Sequence, residues 1–216
     1  MKSRASDVDG RRSFIKGASA FALTAAALPP AAACLRAAPV ENALGAGRPS
    51  RIEIAGRDEP GARLLMRGTV YDAGDRPVPN VRIFLYQTDA EGYYSRPVSD
   101  PRRARLRGTV WTDARGRYAF ETVQPAHYAN VASQPPMHIH VHLEPPRLPD
   151  HWVESYYFDD DPKLQSGVVA RARELGRFSN VVALEPGEPG VAQAVRDFRI
   201  DPALAERNRL VDGWYR

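Results

Sequence analysis

Cysteine is nearly missing from this chain: Cys34 is the only one in 216 residues. That excludes a disulfide within the chain and any metal site built on several thiolates. Long apolar runs are missing too. The stretch from Gly17 to Leu28 is too short and too poor in large side chains for a span of roughly 20 residues. Nor is there a strong excess of one charge sign. The formal net charge is +4, and through Ala33 five basic residues face two acidic ones, which leaves +1 for the remainder. The arginines of that remainder are dispersed among acids, with no basic stripe interleaved with aromatics. Such a surface argues against a nucleic-acid partner. No internal repeat is visible.

The N-terminal third does not read as folded domain. Gly10-Arg11-Arg12-Ser13-Phe14-Ile15-Lys16 is a twin-arginine start, the Ala-rich apolar stretch follows, and Pro29-Pro30-Ala31-Ala32-Ala33 offers small residues for cleavage. Basic, apolar and small-residue regions in that order make an export signal over residues 1–33, with a periplasmic or cell-surface destination. Ala31-Ala32-Ala33-Cys34 is compatible with a lipid anchor on Cys34 and equally with an Ala-x-Ala cut at the same bond. Residues 34–61 are rich in Ala, Pro, Gly and Arg, which reads as a linker or wrapping arm whose strand-like piece is Ile52-Glu53-Ile54.

From residue 62 to 200 the pattern changes to short alternating segments between turn residues. Leu64 to Tyr71 reads as a strand. So does Val81 to Tyr86, in which Val81, Ile83 and Leu85 share one apolar face. Gly108 to Thr112 and Arg117 to Thr122 flank Asp113-Ala114-Arg115-Gly116 as a hairpin. Further strands are expected over Met137 to Glu144, Val153 to Phe158, Asn180 to Leu184 and Val191 to Ile200, with Glu185 to Gly190 a loop. A helix is expected over Pro162 to Leu175, with Leu164, Val168 and Leu175 on one stripe. Short strands without βαβ alternation predict an all-β sandwich with one short helix, and residues 201–216 as a C-terminal tail.

Three of the five histidines alternate in Met137-His138-Ile139-His140-Val141-His142. Residues two apart on a strand share a face, about 6.6 Å apart at about 3.3 Å per residue. His138 and His140 can thus chelate one ion while Ile139, Val141 and Leu143 pack on the core. Tyr94 and Tyr128 end loops between expected strands, from which they can converge on the histidines. A phenol with a pKa of about 10 needs a strong electrophile beside it to ionise at neutral pH. Ferric iron is such an electrophile, and two phenolates with one hydroxide cancel its charge. The plainer alternatives are a solvated face that happens to hold histidines, and tyrosines that are ordinary core or surface residues.

The segments Tyr86-Gln87-Thr88-Asp89-Ala90-Glu91-Gly92-Tyr93-Tyr94-Ser95, Gly108 to Asp113 with Gly116-Arg117-Tyr118, Val123 to Tyr128, Pro136 to His140, and Tyr157-Phe158-Asp159 with Asp161 together resemble the intradiol ring-cleavage dioxygenases. The resemblance runs from about Leu64 to Ile200. It implies a transthyretin-like β-sandwich holding non-haem Fe(3+), with Tyr94, Tyr128, His138 and His140 as ligands and Tyr94 and Tyr128 as catalytic residues. The implied substrates are O2 and a small aromatic diol of the catechol type, bound as a dianion. The implied role of Tyr128 is to leave the metal and take a substrate proton. The ring would open between its hydroxyl-bearing carbons to a muconate-type diacid.

Two positions depart from the family pattern. Pro135 stands where the family has an arginine, and its glutamine on the next strand falls near Ser155. Arg96 and Arg107 are candidates to replace the lost arginine, whose absence removes a donor worth roughly 3–4 kcal/mol of barrier. His142 reads as a residue behind the ligands or a solvated one, His127 as orienting Tyr128 or as a loop histidine, and Asp159-Asp160-Asp161 as an acidic turn rather than a calcium loop. The rival functional reading is a non-catalytic transthyretin-like binding module, for which Gly68-Thr69-Val70-Tyr71-Asp72 and Tyr118-Ala119-Phe120 serve equally well. Zinc held by three histidines is a third reading, and it leaves both tyrosines unused.

Overall fold

The computed structural model describes residues 48–200, apart from 98, 130, 133, 149 and 150. The chain divides into two units at Ala38 and Pro39, and all described residues belong to the second. The export signal, Cys34, most of the arm and the tail 201–216 lie outside the described residues.

In chain order the strands are β1 (Arg51–Glu53), β2 (Arg63–Tyr71), β3 (Arg82–Gln87), β4 (Leu106–Trp111), β5 (Arg117–Val123), β6 (His138–Glu144), β7 (His151–Trp152) and β8 (Tyr156–Phe158). The helix α1 (Ser166–Glu174) follows, then β9 (Val181–Val182), β10 (Glu185–Pro186), β11 (Val191–Val195) and β12 (Phe198–Arg199). They form two sheets. One runs β1-β5-β2-β11-β10, with β12 also on β2; the other runs β4-β3-β6-β8-β9, with β7 also on β6. This is the expected β-sandwich.

The core lies between the sheets and follows the alternation. Leu64, Met66 and Val70 of β2 and Tyr118 and Phe120 of β5 meet Ile83 and Leu85 of β3 and Ile139, Val141 and Leu143 of β6. Each such side chain contributes about 1.5–3 kcal/mol by leaving water. One pair of buried polar groups is joined across the layers: Tyr156 Oη lies 2.7 Å from Tyr118 Oη, which donates to the Arg196 carbonyl at 2.7 Å. Burial in that dry setting pushes both phenols above their ordinary range.

Several expected boundaries change. Gly108–Thr112 and Arg117–Thr122 do not form a hairpin: β4 pairs with β3 and β5 pairs with β2, in different sheets. The Asp113 carboxylate accepts from the amides of Arg115 and Arg117, both at 2.8 Å, and turns the chain from one layer to the other. The strand expected over Val191 to Ile200 is broken. At the break the Arg196 carbonyl presses on Gly68, where a Cβ would stand 1.7 Å from it. The Asp197 carboxylate accepts from the Thr69 amide at 2.9 Å. Val153 to Phe158 shortens to β8, Asn180 to Leu184 shortens to β9, and Glu185 and Pro186 of the expected loop pair with β11.

The helix begins four residues later than Pro162. The Asp161 carboxylate accepts from the Lys163 amide at 2.8 Å and holds that segment as a turn. The stripe of Leu164, Val168 and Leu175 does not face the core, where α1 buries only Ala172. Ile52-Glu53-Ile54, the strand-like piece of the arm, supplies β1, which pairs with β5 in parallel. Ile52 and Ile54 pack over Gly108, where a Cβ would meet them at 2.7 and 3.1 Å. Among the described residues no helix is long and apolar enough to cross a membrane.

Candidate metal centre

The core-facing residues of β6 fix the direction of its histidines. With Ile139, Val141 and Leu143 inside, His138, His140 and His142 project from the outer face of the second sheet. The loop after β3 carries Tyr94 and the loop after β5 carries Tyr128, and the two loops are stitched together. Thr88 Oγ1 donates to the Ala126 carbonyl at 2.8 Å, the Ala126 amide to the Asp89 carbonyl at 3.1 Å, and the Ala129 amide to the Gly92 carbonyl at 3.2 Å. Gly92 makes the approach possible. Its φ is +86°, and a Cβ there would stand 2.0 Å from the His127 carbonyl.

All four side chains singled out in the sequence meet at one point. Tyr94 Oη lies 2.6 Å from Tyr128 Oη and 2.8 Å from His140 Nε2. Tyr128 Oη lies 2.8 Å from His138 Nε2 and 3.5 Å from His140 Nε2, and the two Nε2 atoms are 3.0 Å apart. Donors about 2.0–2.2 Å from one ion, at right angles to one another, would be about 3 Å apart. The set therefore fits a single metal ion. Two phenol oxygens with two imidazoles suit a small, highly charged cation, since the oxygens can become anions beside it.

The imidazoles are prepared for that role. His138 Nδ1 donates to the Pro136 carbonyl at 2.7 Å, which leaves the lone pair on Nε2 pointing into the cluster. Burial lowers the His138 pKa. Burial, then the neighbouring His138, lowers His140 to about 3. Both rings are neutral near pH 7. Tyr94 is buried and Tyr128 half-buried, so of the two phenols Tyr128 faces the solvent side.

Other expected participants are placed elsewhere. His127 does not orient the Tyr128 phenol; its Nε2 lies 3.0 Å from both oxygens of Asp161. Asp161 is thus no part of an exposed acidic turn. It also accepts from the Met137 amide at 2.5 Å and so joins the Tyr128 loop to the start of β6. His142 lies beside Glu144, with Nδ1 3.8 Å from its carboxylate. Arg96 is held by Glu91 at 2.7 Å and stacks over Tyr93, and Arg107 donates to the Arg102 carbonyl at 3.3 Å. Ser155, where the resemblance puts a glutamine, has Oγ 3.4 Å from His140 Nδ1. Among the described residues no group of three or more His, Cys, Asp or Glu side chains could hold a metal, which leaves the three-histidine reading without support.

Sequence reasoning missed two supports. The Tyr86 ring stacks on the His140 ring, with centroids 4.3 Å apart and planes 12° from parallel. Gln134 Nε2 donates to the Tyr128 carbonyl at 2.8 Å. The apolar alternation of β3 put Tyr86 on the same outward face as Phe84, which was the available signal for the first. No local pattern marks the second.

A family model described as Dioxygenase matches residues 40–185. The chain belongs to the intradiol ring-cleavage dioxygenase family. It is 33% identical over 135 residues to the protocatechuate 3,4-dioxygenase beta chain of Burkholderia cepacia, covering 55% of this chain and 57% of that one. It is 32% identical over 89 residues to the catechol 1,2-dioxygenase of Acinetobacter baylyi, covering 38% and 29% respectively. The chain thus spans less than two thirds of these curated relatives. Among solved structures, the dioxygenase domain of a dioxygenase carbohydrate-binding protein fusion from Streptomyces sp. SirexAA-E superposes with a TM-score of 0.55 at 23% identity, covering 73% of this chain and 92% of that one. Catechol 1,2-dioxygenase from Pseudomonas arvilla C-1 gives 0.55 at 20% identity, covering 74% and 61%. These likenesses extend the fold assignment to the family's β-sandwich core.

Proposed function

We propose that the chain is an exported non-haem Fe(III) dioxygenase. It opens a catechol-type ring between its two hydroxyl-bearing carbons and yields a muconate-type diacid. The observation that carries this reading is the meeting of Tyr94, Tyr128, His138 and His140, whose donor atoms lie 2.6–3.5 Å from one another along the cluster. Family membership and the order of the four residues support it.

Tyr94, Tyr128, His138 and His140 would hold the metal. Ferric iron, when bound, supplies a Lewis acid that takes the diol as a dianion and draws electron density from its ring. His138 and His140 stay neutral, so the charge near the diol is set by the phenols. Buried Tyr94 remains in place, braced by Tyr86 and Ala104. Tyr128, on the solvent side, would accept a proton from a diol hydroxyl and swing aside. The His127–Asp161 contact and Gln134 hold its backbone while the ring moves. The overall reaction adds both atoms of O2 to the diol and needs no external reductant.

The test is turnover of the ferric protein with a panel of catechols, hydroxyquinols and carboxylated relatives under 18O2. One O2 consumed per diol, with both labelled atoms in a ring-opened diacid, is the expected outcome. Oxygen uptake that yields a quinone and peroxide, or an extradiol semialdehyde, would overturn it.

A further inference from the structure

The two imidazoles of the cluster are held by different means. His138 is tied through its outer nitrogen, because Nδ1 donates to the Pro136 carbonyl at 2.7 Å. Its ring neighbours Tyr128, His140 and Tyr157 all stand well off its plane, at 62°, 84° and 50°. Among the described residues, the polar neighbour of His140 Nδ1 is Ser155 Oγ at 3.4 Å, longer than the about 2.7–3.2 Å of a firm hydrogen bond. A metal-binding histidine ordinarily relies on its second nitrogen to fix the ring. For His140 that support is weak.

A face contact takes its place. Tyr86 lies directly opposite His140 in the β3–β6 ladder. The two rings are stacked, with centroids 4.3 Å apart and planes 12° from parallel. A turn of the imidazole about its Cβ–Cγ bond would drive its edge into the Tyr86 face, so the stack fixes the plane of the ring. Within that plane, the Tyr94 phenol oxygen 2.8 Å away favours the position that keeps Nε2 in the cluster.

Tyr86 is itself immobilised, as a surface that orients another ring must be. It is 7% exposed and shares a small cluster with Tyr94 and Ala104, against which Phe84 and Tyr128 pack. Its ring lies 6.0 Å from that of Tyr94 and 5.8 Å from that of Phe84. One side chain thus backs both Tyr94 and His140. Tyr128 and His138 draw their support elsewhere, from Gln134 and the Pro136 carbonyl. The four donors therefore form two pairs with separate supports.

We propose that Tyr86 is a positioning residue of the metal centre: its ring face sets the plane of His140 and, through that ring, the affinity of the site for ferric ion. This role rests on the metal-holding part of the proposed function and is independent of ring cleavage.

Ferric affinity per folded molecule is measured by competition with a chelator in the parent, Tyr86→Leu, Tyr86→Phe, Phe84→Leu and Ser155→Ala, alongside melting temperatures of the metal-free proteins. Tyr86→Leu keeps apolar bulk and removes the flat face, and its affinity should fall about 10–100-fold, the usual loss when a group that orients a metal-bound histidine is removed. Tyr86→Phe restores the face and should stay within about threefold of the parent, as should Ser155→Ala. Phe84 packs beside Tyr86 and opposes His142 rather than His140. Phe84→Leu should therefore lower the melting temperature without moving the affinity. Spectra of the 15N-histidine-labelled, metal-free proteins read the ring directly: the His140 signal should be sharp in the parent and in Tyr86→Phe, and broadened by exchange in Tyr86→Leu. Parental affinity in Tyr86→Leu, or an equal loss in Tyr86→Leu and Tyr86→Phe, would overturn the proposal. So would a loss in Ser155→Ala as large as that in Tyr86→Leu, since the hydrogen bond would then orient the ring. Affinity that follows the Tyr86 face in a protein that cleaves no diol would keep this role and sink ring cleavage. Diol cleavage with a ferric affinity indifferent to Tyr86→Leu would do the reverse.

Discussion

At the scale of single residues, the division of labour between the two phenols is the part most open to mutation. Tyr128→Phe removes the proton acceptor we propose on the solvent side, and kcat should fall roughly 10²–10⁴-fold, the usual worth of a positioned acid or base. Iron content should stay near that of the parent protein, since three donors remain. Stopped-flow turnover with metal analysis checks both. Asp161 makes a prediction in pH. Its buried carboxylate would titrate high from burial alone. The amides of Lys163 and Met137 and the His127 ring overcome that and hold it below the ordinary range. Because the folded form holds this proton less tightly than the unfolded chain, the group's stabilisation is present above about pH 4 and is lost as pH falls below it. Denaturant midpoints measured from pH 6 to pH 3 should therefore drop more steeply in the parent than in Asp161→Asn. The variant should start lower, by about 1–3 kcal/mol, from the hydrogen bonds it weakens. The four clustered residues were legible in the sequence because alternation on β6 fixes which way the histidines point, and because Tyr94 and Tyr128 end loops. Asp161 was not legible: its partners Met137 and His127 lie 24 and 34 residues away, and no local pattern encodes such pairings.

At the scale of elements, the two tyrosine loops behave as one device. Gly92 sits where they touch, so Gly92→Ala must both adopt φ +86° and push the His127 carbonyl away. A stability loss of about 1–3 kcal/mol is expected from strain and crowding together. Unlike a loss confined to the core, it should also weaken ferric binding, which a competitive chelator titration reads. Gly68→Ala, at the β2–β12 junction, is the contrasting case. It collides with the Arg196 carbonyl and should lower the melting temperature while leaving metal affinity per folded molecule unchanged. Strand identity was readable from alternation, because period two shows which face is buried. Strand partnership was not. Val110 opposes Ile83 in one sheet and Phe120 opposes Met66 in the other, so an apparent β4–β5 hairpin is in fact a crossing between layers. The helical stripe misled for a related reason: of Leu164, Val168 and Leu175 only Val168 falls within α1, and the helix buries Ala172 instead.

At the scale of the whole molecule, the sandwich presents a rigid outer sheet face on which two loops and one strand bring four donors together. The arm contributes β1 to the first sheet, and Glu59 at its end is ion-paired to Arg105 at 2.5 Å, which ties the arm to the segment beyond the Tyr94 loop. The central claim is that these donors would hold one oxidised iron atom, to which a diol could bind. It is tested most directly by the visible spectrum of the purified protein reconstituted with ferric ion, before and after addition of a catechol without oxygen. The account predicts one iron per chain, a red-brown phenolate-to-metal band that weakens in Tyr94→Phe, and a shift of that band to longer wavelength when the diol binds. A colourless protein that retains no iron after reconstitution, or a band that catechol and both tyrosine substitutions leave unmoved, would contradict it.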